Sequence, residues 1–158
     1  MEDIKLLKNI PLFKDFKVTE LMNVSMVAKV ENYRQGEFIF KERARGDALF
    51  VIRKGKCRVL KTDSFGEEHV LAILKTGEYF GEISLVDRAP RSATVVAHED
   101  CELLAIRRSD FKNLIAGNSE IERKFYKSFS EVLCERLRIT NENLTFSHEI
   151  NKMLQELD

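Results

Sequence analysis

The sequence lacks an excess of charge of either sign: 26 basic residues balance 26 acidic ones. A free-standing nucleic-acid binder draws affinity from phosphate contacts and carries a basic surplus. Direct nucleic-acid binding by this chain is therefore not expected. Long apolar runs are also missing. None approaches the ~18–20 residues needed to cross a bilayer. The opening MEDIKLLKN mixes acids and lysines and has no apolar core of a secretory signal. No membrane partner is expected, and the cytoplasm is the default location. Cysteine is sparse, with only Cys57, Cys101 and Cys134, widely spaced. That excludes a disulfide framework and a Cys-only metal site.

What is present is ordinary for one globular domain with one core. The chain has 158 residues, 44% of them hydrophobic and 33% charged. The first ~28 residues read as helical. Pro11 sits where a helix can start, and Thr19 is placed to cap a segment from Glu20 to Ala28. From about Lys29 to Ile106 the pattern changes to short Val-, Ile-, Phe- and Tyr-rich runs. These are 38–41, 48–54, 57–61, 69–75, 93–97 and 101–106. Glycines at 36, 46, 55, 66 and 77 punctuate them, each a turn where positive φ is allowed. Many short strands with evenly spaced turns predict a sandwich or jelly roll.

Helical spacing returns after Ser109. Asp110 to Ala116 is a short helix closed by Gly117, and Ser119 is placed to cap a longer one. Ile121, Phe125, Phe129, Val132, Leu133, Leu137 and Leu144 form a stripe wide enough for the barrel and for a second copy of the chain. A break near Ser147 predicts a last short helix from His148 to Leu157. Residues 1–117 thus form the β body with its N-terminal helices. Residues 118–158 are expected to form the C-terminal helices of the same domain.

The chemistry concentrates in GEYFGEISLVDRAPRSATVVA, residues 77–97. Gly81 permits close backbone approach, and Glu82 follows with a carboxylate suited to sugar hydroxyls. Ile83, Ser84 and Leu85 can make one helical turn whose free N–H groups attract an anion. Nine residues after Glu82 comes Arg91, whose planar fork pairs a phosphate through charge-assisted hydrogen bonds. Read as a mere surface ion pair, Glu82 and Arg91 would contribute only ~0–1 kcal/mol. Their joint placement around one turn points to a ribose phosphate instead.

Residues 80–95, F-G-E-I-S-L-V-D-R-A-P-R-S-A-T-V, resemble the phosphate-binding cassette of the cyclic-nucleotide-binding domain family. That family includes the catabolite activators, the regulatory subunits of protein kinase A and cyclic-nucleotide-gated channels. The resemblance implies an eight-stranded β jelly roll, mainly β, with N-terminal helices and a long C-terminal helix. It implies that Glu82 accepts from the ribose 2′-hydroxyl and that Arg91 neutralises the cyclic phosphate. The N–H groups of Ile83 and Ser92, with the Ser92 hydroxyl, complete the phosphate shell. Phe80, Gly81, Ser84 and Ala93 frame it.

The resemblance extends to 34–40 and 46–55, where Gly46-Asp47 is expected to turn near the pocket. Arg43 departs from it, standing where many members have glycine. E-R-L-R-I-T-N-E-N-L, 135–144, resembles the central helix of the catabolite activators. By that resemblance Thr140 and Asn141 contact the base, one contact coming from a partner subunit. Arg136 reaches toward Glu82 or the phosphate. The implied ligand is cAMP, favoured over cGMP, although the Ser92 hydroxyl is also placed to meet a guanine. The implied assembly is a homodimer through residues 119–144, with 118–158 as dimerisation and lid helices.

Only about fourteen residues follow Leu144, too few for the helix-turn-helix module of the catabolite activators. A stand-alone sensor acting on an unknown protein effector is therefore expected. The alternative is a ligand-free scaffold of the same fold. A jelly-roll metalloenzyme would need converging histidines and a carboxylate. His69, His98 and His148 are dispersed, so no enzyme activity, metal or cofactor is expected. A haem or iron–sulfur centre is disfavoured by the scattered cysteines.

Overall fold

The computed structural model describes residues 1–157. The N-terminal part comprises α1 (Glu2–Lys8), a 3₁₀ turn at Pro11–Phe13 and α2 (Val18–Val27). Eight strands follow: β1 (Lys29–Tyr33), β2 (Phe38–Phe40), β3 (Ala48–Lys54), β4 (Lys56–Thr62), β5 (Glu68–Lys75), β6 (Tyr79–Phe80), β7 (Thr94–Ala97) and β8 (Cys101–Arg107). A 3₁₀ turn at Glu82–Leu85 lies between β6 and β7. Two helices, α3 (Arg108–Ala116) and α4 (Ser119–Glu156), close the described chain. No helix is long and apolar enough to cross a membrane among the described residues.

The strands form two antiparallel sheets, ordered β1-β8-β3-β6 and β2-β7-β4-β5. Their packing explains why β3 reads as the unbroken run ALFVI. A strand alternates its side chains between two faces, and both faces of β3 are covered. Ala48, Phe50 and Ile52 point into the core between the sheets, with Cys57, Phe80, Val95 and Leu103. Leu49 and Val51 point the other way, into a core shared with the helices. There Phe125 meets Phe111 edge-on and Phe13 stacked, while Phe13 and Phe111 are tilted; the Phe111–Phe125 centroids are 4.7 Å apart. Such pairs add ~0.5–1.5 kcal/mol beyond their area burial. They fasten the first turns of α4 to the 3₁₀ turn and to α3.

Several boundaries differ from the sequence reading. α2 starts at Val18, one residue before Thr19, and the backbone N–H of Lys17 donates to Glu20 Oε2 at 2.7 Å. A carboxylate three residues into the helix thus replaces the expected threonine cap. α4 is capped by Asn118, not Ser119; Asn118 Oδ1 accepts from the N–H groups of Glu120 and Ile121. No break occurs at Ser147, and α4 runs unbroken for 38 residues. Serine is only mildly unfavourable within a helix, and no glycine or proline lies in this stretch to stop it. Gly46 is not a positive-φ turn, unlike the other four glycines named. Arg43 adopts φ 69°, the conformation its glycine counterparts would take at no steric cost.

Candidate functional site

The turn Glu82–Leu85 faces a cavity of about 480 Å³ at one end of the sandwich. The turn begins where it does because Gly81 adopts φ 77°. A Cβ there would lie 2.6 Å from Arg91 Nη1 and 2.9 Å from the carbonyl of Ala48. Gly46 has a related role without positive φ: its Cβ would meet Ser84 Oγ at 2.1 Å and Arg91 Nε at 2.9 Å. Two glycines from separate loops thus leave the space in which the guanidinium lies.

Arg91 is buried, at 7% exposure, yet no carboxylate pairs with it among the described residues. Its Nη1 donates to Ser84 Oγ at 2.7 Å and to the Gly81 carbonyl at 3.3 Å, and its Nη2 donates to the Ala48 carbonyl at 2.9 Å. The guanidinium carbon sits 4.0 Å from the centroid of Phe40, a cation–π contact. Its Nε–H is buried and has no partner. Burial pulls the Arg91 pKa down to about 10, so the group is still charged at neutral pH. A buried cation with no contact ion pair among the described residues and with an unused donor is suited to an anion.

Glu82 lies beside it at 2% exposure. Its carboxylate pairs with Arg136 of α4, the residue expected to reach toward it. The same guanidinium stands 5.8 Å from the Tyr79 ring centroid. Ile83 and Ser92 lie at the cavity mouth with exposed side chains, while Phe80 and Ser84 are buried behind them. Ala93 completes this edge. The Ser92 carbonyl accepts from Lys61 Nζ at 2.6 Å.

Thr140 and Asn141 lie on α4 beyond Arg136, fully on its exposed surface, and do not line the cavity within one protomer. Phe40, Val59, Leu74 and Tyr79 do line it. These four share no local motif, because they come from four different strands. Arg108 was also not foreseen. Its Nη1 donates to the carbonyls of Gly46, Ser84 and Asp87 at 3.2, 3.2 and 3.3 Å and so holds the turn without lining the cavity.

The exposed histidine at the β4–β5 turn, His69, contacts Asp63 at 2.7 Å and lies near Glu67. It does not line the cavity. Cys57 and Cys101 are free and buried, and Cys134 is exposed.

Comparison with known proteins agrees with this geometry. Residues 30–118 match the cyclic nucleotide-binding domain. The chain is 41% identical over 109 residues to a cyclic AMP receptor protein of Thermus thermophilus, covering 69% of this chain and 50% of that protein. It is 34% identical over 139 residues to a cGMP-dependent protein kinase, isozyme 2, of Drosophila melanogaster, covering 86% of this chain but 15% of the kinase. The chain therefore spans half or less of these relatives. Among solved structures, the catabolite activator protein of Thermus thermophilus superposes with a TM-score of 0.78 at 36% identity, over 87% of this chain and 62% of that one. The N-terminal domain of a transcriptional regulator from Streptomyces coelicolor superposes with a TM-score of 0.76 at 28% identity, over 87% of this chain and 95% of that one.

Proposed function

The chain belongs to the cyclic nucleotide-binding domain family, and from that premise we propose that it is a non-catalytic cytoplasmic sensor of cAMP. The observation that carries this reading is the buried Arg91 guanidinium, with no carboxylate partner and an unused Nε–H. In the proposed complex the cyclic phosphate takes the place of the missing counter-ion. The N–H groups of Ile83 and Ser92 and the Ser92 hydroxyl meet its remaining oxygens. Glu82 accepts from the ribose 2′-hydroxyl, and Phe80, Gly81, Ser84 and Ala93 shape the floor.

The Glu82 carboxylate that meets the ribose in this reading also pairs with Arg136 of α4. The pocket and α4 thus share one residue, and this supports relay through that helix. The ligand shifts the helix only as far as it prefers one arrangement over the other. The exposed Leu133, Leu137 and Leu144 support a homodimer through residues 119–144, with exposures of 38%, 62% and 63%. In that dimer Thr140 and Asn141 approach the purine, one of them from the partner subunit. The output passes to a protein effector.

The preference for cAMP draws on the Thr140-Asn141 pair and on the likeness to a cyclic AMP receptor protein. Kinases named for cGMP are also relatives, so the base must be tested directly. Isothermal titration of the protein with cAMP and with cGMP does this. Binding of both, several-fold tighter for cAMP, is expected. No heat with either at high micromolar concentration would support the ligand-free scaffold instead. Tighter cGMP binding would reverse the base assignment and leave the phosphate site in place.

A further inference from the structure

The outer half of α4 carries two apolar lines, and a homodimer through 119–144 uses only one of them. Leu133, Leu137 and Leu144 form the first. The second runs through Ile139, Phe146 and Met153, spaced by seven, and Ile150 and Leu157, also spaced by seven. Asn143 lies seven residues before Ile150. The steps between the two series are four and three, the spacing of a coiled-coil seam. Each residue of the first line follows a position of the second by one residue, about 100° around the helix. A partner α4 packed on Leu133, Leu137 and Leu144 reaches at most the near edge of the second seam, at Asn143 and Ile150, and leaves Ile139, Phe146 and Met153 open.

No part of the described chain covers this second seam. Ile139, Phe146, Met153 and Leu157 are 47%, 63%, 63% and 82% exposed, and Ile150 is 39% exposed. The seam is also continuous with the functional site. Traced back by the same steps it passes through Arg136, Val132, Phe129 and Phe125. Phe125 and Phe129 are buried against the chain's own core, and Arg136 holds Glu82. A helix docked on this line would end about one turn from the residue that touches the pocket.

The flanks of the seam identify the occupant. The positions just before Arg136, Asn143, Ile150 and Leu157 are Glu135, Glu142, Glu149 and Glu156. Four glutamates at seven-residue intervals thus border one side. Only Glu135 has an ion-pair partner among the described residues, its neighbour Arg138 at 2.6 Å. The opposite border is Thr140, Ser147 and Leu154, with no charge. A second α4 would not complement this pattern. Antiparallel pairing on the seam sets glutamate against glutamate, and parallel pairing sets glutamate against Thr, Ser or Leu. We infer that residues 139–157 dock an amphipathic helix of a partner protein whose apolar seam is bordered by Lys or Arg. The inference rests on the reading that α4 passes the signal to an effector, and it names that effector's recognition element. The polar Asn143 within an otherwise apolar seam fixes the register of the pair.

Fluorescence anisotropy with two labelled helical peptides tests this on the whole chain. Both peptides carry the same Leu/Ile seam; one has Lys on both borders and the other has Glu. The Lys-bordered peptide is expected to bind at least about tenfold more tightly, with an affinity that falls as salt rises. Reversing Glu142, Glu149 and Glu156 together to Lys should exchange the two preferences. Ile150→Glu should abolish binding of both peptides. Equal affinity for the two peptides, no binding of either, or a preference unchanged by the charge reversal would overturn the inference. So would sedimentation showing that Phe146→Glu alone splits the wild-type oligomer, because a second copy would then occupy the seam. Peptide binding is read without nucleotide, and cAMP titration of the same preparation is read separately. A failed nucleotide reading and a failed docking reading therefore give different results.

Discussion

At the residue scale the site depends on one cation and on the space made for it. Arg91 could be read in the sequence because it stands nine residues from Glu82, on the far side of a turn that Gly81 announces. Its surroundings could not. Phe40, Ala48 and Gly46 reach it from other parts of the chain, and only the fold brings them within contact. Gly81→Ala tests that space. An alanine at φ 77° is strained, and its methyl would press on the backbone carbonyl of Ala48, which cannot swing away. A loss of about 1–3 kcal/mol of stability is expected, read as a lower denaturant midpoint, together with weaker cAMP binding. An unchanged midpoint would mean that the turn has another conformation.

At the element scale six of the eight strands were legible; the polar β1, Lys29–Tyr33, and the short β6 were not, and neither were the helix ends. β3 and β8 gave long apolar runs because each is buried on both faces. β6 has only two residues, too few to form a pattern. The cap of α4 fell one residue from its expected place because asparagine and serine stand side by side and both can accept. The predicted break at Ser147 was an error of weight. A polar residue on a solvated helix face costs little, and α4 continues past it. The expected break lay beyond Leu144, so Leu133, Leu137 and Leu144 share one helix with or without it. Leu137→Glu should convert a dimer to a monomer in analytical ultracentrifugation at micromolar concentration. A wild type that is already monomeric there would contradict dimerisation through this face.

At the scale of the whole molecule, α2 and α4 are joined by a buried ion pair between residues far apart in the sequence. Lys124 Nζ lies 3.0 Å from Glu20 Oε1. Burial alone would raise the Glu20 carboxyl, but the Lys17 N–H and the Lys124 ammonium outweigh it and hold the pKa below the usual carboxylate value. A carboxyl lowered on folding adds stability above its unfolded pKa, and that stability is lost as pH falls through the folded one. Glu20→Gln should therefore melt earlier than the wild type at neutral pH. The gap should narrow as the pH drops through and below the carboxylate range, as read by thermal melts across that range. A constant gap would assign the effect to packing.

The central claim is that a cyclic phosphate completes the charge of Arg91. It is tested most directly by titrating wild type and Arg91→Ala with cAMP and, in parallel, with adenosine, which has the base and sugar but no phosphate. Removing the partner of a charged group costs about 1.5–3 kcal/mol or more. The account predicts that Arg91→Ala weakens cAMP at least about tenfold, and nearer a hundredfold at the upper figure, while adenosine binding stays as weak as in the wild type. An Arg91→Ala protein that still binds cAMP as the wild type does would contradict it.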